Sequence, residues 1–119
     1  MRHDPSREAV VHELRVACES GDATALAPLL APDVCALVDT AGDVIASTRP
    51  LRGPAEVAAA LVELCAGASL AEHTVNGAPA LIARRGTHVI GVVSVELRAR
   101  RIWRVWVTRS PQKLQRWNT

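Results

Sequence analysis

The sequence predicts an α+β domain: a cone-shaped, curved sheet of about six strands, mixed or antiparallel, wrapped around three helices from the N-terminal half. Three observations carry that prediction. Apolar residues recur at helical spacing from Val10 to Cys18 and again from Val57 to Cys65, whereas from Ser69 onward the period changes to two. Turn-forming residues punctuate the second half at short intervals, as an antiparallel meander requires. A chain of 119 residues can bury one real core but not two, so residues 1–119 read as a single domain.

Asp4-Pro5 reads as N-cap and first helical position. Val10, Val11, Leu14, Ala17 and Cys18 follow on one helical face, and Gly21 ends the helix. Asp22 opens a second helix with Leu26, Leu29 and Leu30 on one side; Pro28 keeps it short or kinked, and Ala31-Pro32-Asp33 reads as the turn after it. Val34 to Asp39 is β-rich, Thr40 to Asp43 is a turn by composition, and Val44 to Ser47 completes a hairpin. Arg52-Gly53-Pro54 stops it. Pro54 starts the third helix, whose stripe is Val57, Leu61, Leu64 and Cys65, with Gly67 as terminator. Strands over Leu70 to Val75, Ala80 to Arg84, His88 to Leu97 and Ile102 to Thr108 form the meander. Gly91, alone among β-branched neighbours, marks a bend or bulge. Pro111 closes the last strand and leaves a short polar tail containing Trp117.

Composition narrows the chemistry. Phe and Tyr are absent, so Ala, Leu and Val fill the interior and no phenol is available as an oxyanion donor. The net charge of +2 hides two unlike halves: Arg84 to Thr119 holds nine of the fourteen bases, all three tryptophans and one acid, Glu96. Such asymmetry asks for an acidic partner, an anionic ligand or a dimer that buries it. Cys18, Cys35 and Cys65 lie far apart among apolar neighbours, which predicts free thiols in a reducing, cytoplasmic setting. No apolar run is long enough to span a membrane, and no leader is expected. The histidines and cysteines show no metal-ligand spacing, and there is no phosphate loop, nucleophile elbow or dinucleotide fingerprint, so neither metal nor cofactor is expected. Nucleic acid is disfavoured for want of a recognisable binding motif.

The element order, with Leu30-Ala31-Pro32-Asp33-Val34 after the second helix and Leu51-Arg52-Gly53-Pro54 opening the third, resembles the SnoaL-like branch of the nuclear transport factor 2-like superfamily, cystatin-like α+β barrels. Val75 to Leu81 and the closing Arg109-Ser110-Pro111-Gln112-Lys113-Leu114 look like the C-terminal SnoaL-like domain of certain actinobacterial extracytoplasmic-function sigma factors. That domain carries a D-G-G-G-K-V turn and an N-P-D-K-L ending. The matching stretches here are Asp39 to Val44 and Ser110 to Leu114, with Asp43, Ser110 and Gln112 departing from the pattern. The σ regions that bind promoter and polymerase are absent from the sequence.

The resemblance implies a conical pocket on the concave side of the sheet, often holding an Asp, Glu or His. Asp39 ends the first strand, near where ketosteroid-isomerase-like relatives place a general base, and is the first catalytic candidate; the alternative is an Asp that caps its own turn. His73, mid-strand, is a possible partner. His88 and Glu96 fall on one face of the fifth strand with Ile90, Val92 and Ser94, at opposite ends of it. Simple alternation in the last strand puts Trp106 and Arg104 on one face and Trp103 on the other, so that one tryptophan lines the pocket and the other an interface. The same alternation puts Val89, Val93 and Val95 on the outer face, an apolar patch that predicts a homodimer.

Two functional readings stay open. The first is a pocket binding a small, mostly apolar molecule, with or without cofactor-free isomerase, polyketide-cyclase-like or hydrolase chemistry. The second is a non-enzymatic regulatory module that contacts a protein through its basic C-terminal third.

Overall fold

A computed structural model of the chain describes residues 5–39, 50–109 and 114–118. The elements follow the order α1 (Pro5–Ser20), α2 (Ala23–Leu26), a 3-10 turn (Ala27–Leu29), β1 (Leu30–Asp39), β2 (Leu51–Arg52), α3 (Pro54–Cys65), β3 (Ser69–Val75), β4 (Ala78–Arg85), β5 (His88–Arg98), β6 (Arg101–Thr108) and a closing 3-10 turn (Gln115–Trp117). The six strands form one sheet in the order β2-β1-β6-β5-β4-β3. Only β1 and β6 run parallel among the described pairs. This is the expected α+β architecture, with helices on one face of a mixed sheet.

Local chemistry sets the helix boundaries. Gly21, at φ +70°, turns the chain out of α1 in the left-handed conformation that glycine adopts without strain. The Asp22 carboxylate then accepts from the Thr24 N–H at 2.9 Å and the Thr24 hydroxyl at 2.6 Å, capping α2. Pro28 limits that helix to one turn and a 3-10 extension. The chain then enters β1 at Leu30, so Ala31-Pro32-Asp33 lies inside a strand rather than in a turn. Pro32 has no N–H to give the ladder. The chain accommodates it by bulging: β1 and β6 slip register between the pairs Leu30–Ile102 and Cys35–Arg104. The expected turn at Thr40 to Asp43 and strand at Val44 to Ser47 lie outside the described residues, as do Asp4, His3 and Ser110 to Lys113. β1 is instead seen paired with Leu51–Arg52.

The core between helices and sheet is built from the predicted stripes. Val10, Val11, Leu14, Ala17 and Cys18 of α1 and Val57, Leu61, Leu64 and Cys65 of α3 are buried, packed on Val34, Ala36, Leu81, Ala83, Val93, Val95, Val105 and Val107 of the sheet. The thiols of Cys18 and Cys65 meet between the two helices; their shared hydrogen bond and burial push Cys18 well above the usual thiol range. Both remain free, as does Cys35.

Two further bulges decide which side chains face which way. Ala83 pairs with Gly91 but Arg84 pairs with Val89, leaving Ile90 as an extra residue. A side chain at Gly91 would bring its Cβ to 3.3 Å from Leu64 Cδ1, so a larger residue here would press on the leucine of α3. Beyond the bulge the parity of β5 is reversed. Val93 and Val95 therefore face the helices, contrary to simple alternation, whereas Val89 and Val92 face away from them in a separate apolar cluster. In β6, Leu97 pairs with Ile102 and Glu96 with Arg104, leaving Trp103 as the extra residue. Ile102, Val105 and Val107 all point inward in consequence, and both Trp103 and Trp106 are displaced to the outer face.

Candidate functional site

The outer face divides into two halves. Over β3, β4 and β5 it is covered by the chain's own C-terminal segment: Leu114 is buried against Ala80, Ile82, Val89 and Val92, and Trp117 packs on the same cluster. Asn118 fastens this cover. Its carboxamide oxygen accepts from the Val89 N–H at 2.7 Å, and its Nδ2 donates to the Val89 carbonyl at 3.0 Å. A side-chain amide thus replaces a missing strand beside the bulge, where the backbone groups would otherwise lack partners.

Over β1 and β6 no described segment covers the face. Trp103, Arg104 and Trp106 lie together there, because the bulge puts consecutive residues on one side. The Arg104 guanidinium sits 4.6 Å from the Trp103 ring centroid and 5.7 Å from that of Trp106. Arg98 also lies over Trp103, at 5.2 Å, and bonds the Asp33 carboxylate at 2.5 Å. That contact holds the Asp33 carboxyl below its ordinary range. Glu96 stands opposite Arg104 in the ladder with its carboxylate 3.9 Å from the guanidinium, a loose and half-exposed pair. Leu37, opposite Trp106 across the parallel β1–β6 register, completes the surface; the two are 41% and 37% exposed, high for large apolar side chains.

Of the expected site residues, Trp103, Arg104, Trp106 and Glu96 therefore come together, but on the outer face. His88 does not join them: it begins β5 and lies 3.5 Å from the Asn118 amide. His73 is exposed on the edge strand β3, its ring edge-on to Trp117 at 6.1 Å and 84°. Asp39 ends β1 opposite Thr108, and its carbonyl accepts from the Arg109 N–H at 2.8 Å. Alternation with inward Ala36 and Val38 places Asp39 on the same side as Leu37. Asp39 and His73 are far apart, with β6, β5 and β4 between their strands. Glu72 serves the fold: it accepts from Arg15 Nε at 2.7 Å and contacts His12 at 3.1 Å, tying α1 to β3, and the Arg15 bond holds its carboxyl below the usual range.

Leu37 and Asn118 were not singled out by the sequence, and the parts that Arg98, Asp33, Leu114 and Trp117 play on this face were not read from it. Leu37 alone carried a usable signal, since it shares strand parity with Asp39. Among the described residues no cluster of three or more His, Cys, Asp or Glu is placed to hold a metal, and no helix is long and apolar enough to cross a membrane.

No family model matches the chain, and no curated protein matches it. Its fold is nevertheless shared by many solved structures. The extracytoplasmic function sigma factor SigJ of Mycobacterium tuberculosis is 25% identical with a TM-score of 0.66, the match covering 93% of this chain and 44% of SigJ. A steroid delta-isomerase from Pseudomonas aeruginosa is 19% identical with a TM-score of 0.63, covering 91% of this chain and 82% of the isomerase. A nuclear transport factor 2-like protein of unknown function from Mesorhizobium loti is 11% identical with a TM-score of 0.63, covering 91% and 95%. The chain therefore has the SnoaL-like, nuclear transport factor 2-like fold, and it spans less than half the length of the sigma factor it resembles.

Proposed function

We propose that this SnoaL-like domain is a non-enzymatic interaction module whose working surface is the outer face of its sheet. One observation carries the reading: the helix-facing side is packed with aliphatic side chains, while Trp103, Arg104, Trp106 and Glu96 gather on the opposite side. Leu14, Leu61, Leu81, Val93 and Val95, which would line a chamber under the helices, are each at most 2% exposed. The likeness to part of a sigma factor supports a regulatory partner, and the basic C-terminal third supplies the surface. Free thiols at Cys18, Cys35 and Cys65 fit a reducing, cytoplasmic compartment. The rival reading, a pocket for a small apolar molecule with Asp39 or His73 as acid–base catalyst, draws on the fold shared with the isomerase. It would require these two residues to act from separate places on the sheet, away from the apolar interior that desolvates a catalytic group.

A photo-crosslinking residue at Leu37 tests this in cells, with one at Val16 on the exposed side of α1 as control; both positions are exposed enough to accept it. A discrete adduct from position 37 and none from position 16 is expected, whether the partner is another protein or a second copy. No adduct from position 37, or equal adducts from both, overturns the reading.

A further inference from the structure

Resting on that reading, we infer that the open half of the outer face takes an acidic protein segment: an apolar side chain seated on Leu37 and Trp106, flanked by carboxylates that meet Arg104 and its neighbours. The charge balance of the surface comes first. Arg52, opposite Cys35 in the β1–β2 ladder, and Arg101, at the closing pair of β5 and β6, are exposed and make no ion pair among the described residues. With Arg98 and Arg104 they make four arginines against three acids on this side, Asp33, Asp39 and Glu96. Other exposed acids lie on the helices, among them Glu13, Glu19, Glu56 and Glu63. A second copy meeting this face two-fold would bring the same arginine excess against itself, whereas an acidic segment neutralises it.

The second argument is the state of Arg104. Arg98 is engaged by Asp33 at 2.5 Å, but among the described residues Arg104 has one carboxylate contact, the loose one with Glu96 at 3.9 Å. Its orientation comes from the two indole rings. A guanidinium held by aromatic rings is already ordered, and its N–H donors remain available to a carboxylate in bidentate geometry. The same stacking disfavours single-stranded nucleic acid: an arginine already lies over each ring, and Glu96 would repel the phosphates.

The third argument is the chain's own precedent. On the other half of the same face, a short segment seats Leu114 and Trp117 on apolar residues and adds one polar fastening through Asn118. The open half offers the same combination, an apolar seat between β1 and β6 with polar groups beside it.

A short synthetic peptide with a leucine flanked by glutamates is the probe, compared with the same peptide carrying glutamine or lysine instead. Binding to the full chain is read by fluorescence anisotropy at low and high salt. The glutamate peptide is expected to bind at least about tenfold more tightly than the glutamine one, with the advantage shrinking as salt rises. Arg104→Glu should remove that advantage and favour the lysine peptide, and a cooperative melting transition with a native circular-dichroism spectrum shows that the variant folds although it loses its contacts with both indole rings. Equal binding of the three peptides, no binding of the glutamate peptide, or insensitivity to Arg104→Glu overturns the inference. So does tighter binding of a thymidine oligonucleotide, or a dimer in sedimentation that is lost in Arg104→Glu. If the Leu37 crosslinker captures a partner and the peptides show no charge preference, the interaction reading survives and the acidic occupant does not. If neither experiment succeeds, both fall.

Discussion

The two halves of the outer sheet face solve one physical problem in different ways. Over β3 to β5 the apolar strand surface is sealed by the chain itself, and Ile82 beneath the seal is fully buried. Over β1 and β6 no described segment covers the surface, and arginines lie over the rings of its two tryptophans. The covered half behaves as a second, small core. The open half keeps its large side chains partly solvated, which costs stability only if something better could cover them. Exposed apolar side chains rimmed by polar groups are the usual mark of a surface with a partner.

The contrast is broken most directly by truncating one apolar residue in each half. Ile82→Ala removes a side chain at 0% exposure and should cost about 2–5 kcal/mol by equilibrium urea denaturation. Leu37→Ala, at 41% exposure, should stay within about 0.5 kcal/mol of the parent. Equal losses would mean that the open half is as tightly packed as the covered one.

The fastening of the cover gives the next largest effect. Asn118→Ala strips both polar partners from the Val89 backbone and should cost about 1–2 kcal/mol. The more diagnostic readout is local: hydrogen exchange at the Val89 amide should accelerate selectively, while the β1–β6 amides keep their protection. Uniform acceleration would show that the tail is part of the global core rather than a separate cover.

On the open half, Trp103→Ala removes one ring that two guanidiniums share, at 4.6 and 5.2 Å. Exposed cation–π contacts contribute about 0.5–1 kcal/mol each, so a loss of about 1 kcal/mol is expected with the fold intact. Peptide binding should weaken as well, because Arg104 loses one of the surfaces that orders it. A Trp103→Ala variant with full stability and full binding would separate the arginines from the rings.

The sequence made the inner half of this contrast legible and obscured the outer half, for a reason visible in single residues. Helical stripes and strand alternation found α1, α3 and the meander, because apolar burial against a sheet leaves a periodic trace. Gly91 also announced its bulge correctly, since a glycine among β-branched residues weakens a strand and is kept where the backbone bends or is closely approached. Nothing in the type of Trp103 announced its bulge, and Pro32 read as a turn residue rather than as a bulge within a strand. One extra residue at position 103 reversed the parity on which the assignment of the two tryptophans to opposite faces depended. The C-terminal cover left no periodic trace at all, because three residues near the end of the chain, Leu114, Trp117 and Asn118, act through contacts distant in sequence.

The smallest expected effect concerns the rim of the inner face, where α1 is tied to edge strand β3 by ions rather than by apolar packing. Arg15 and His12 both contact the Glu72 carboxylate, at 2.7 and 3.1 Å, and the Arg15 bond is the main cause of its lowered pKa. A carboxylate whose folded pKa lies below its unfolded value adds stability above the unfolded pKa. That contribution fades as pH falls through the folded value, when the proton displaces the ion pair. Because the group is one-third exposed, the contribution should not exceed about 1 kcal/mol. Glu72→Gln should therefore melt below the parent at neutral pH, and the gap should close in the acid range beneath the ordinary carboxylate pKa. High salt at neutral pH should narrow it as well. A gap that persists unchanged into acid would assign Glu72 to packing. The tie between α1 and β3 would then depend on the buried stripe of Val10, Leu14 and Ala17 alone, as the covered half of the outer face depends on Ile82.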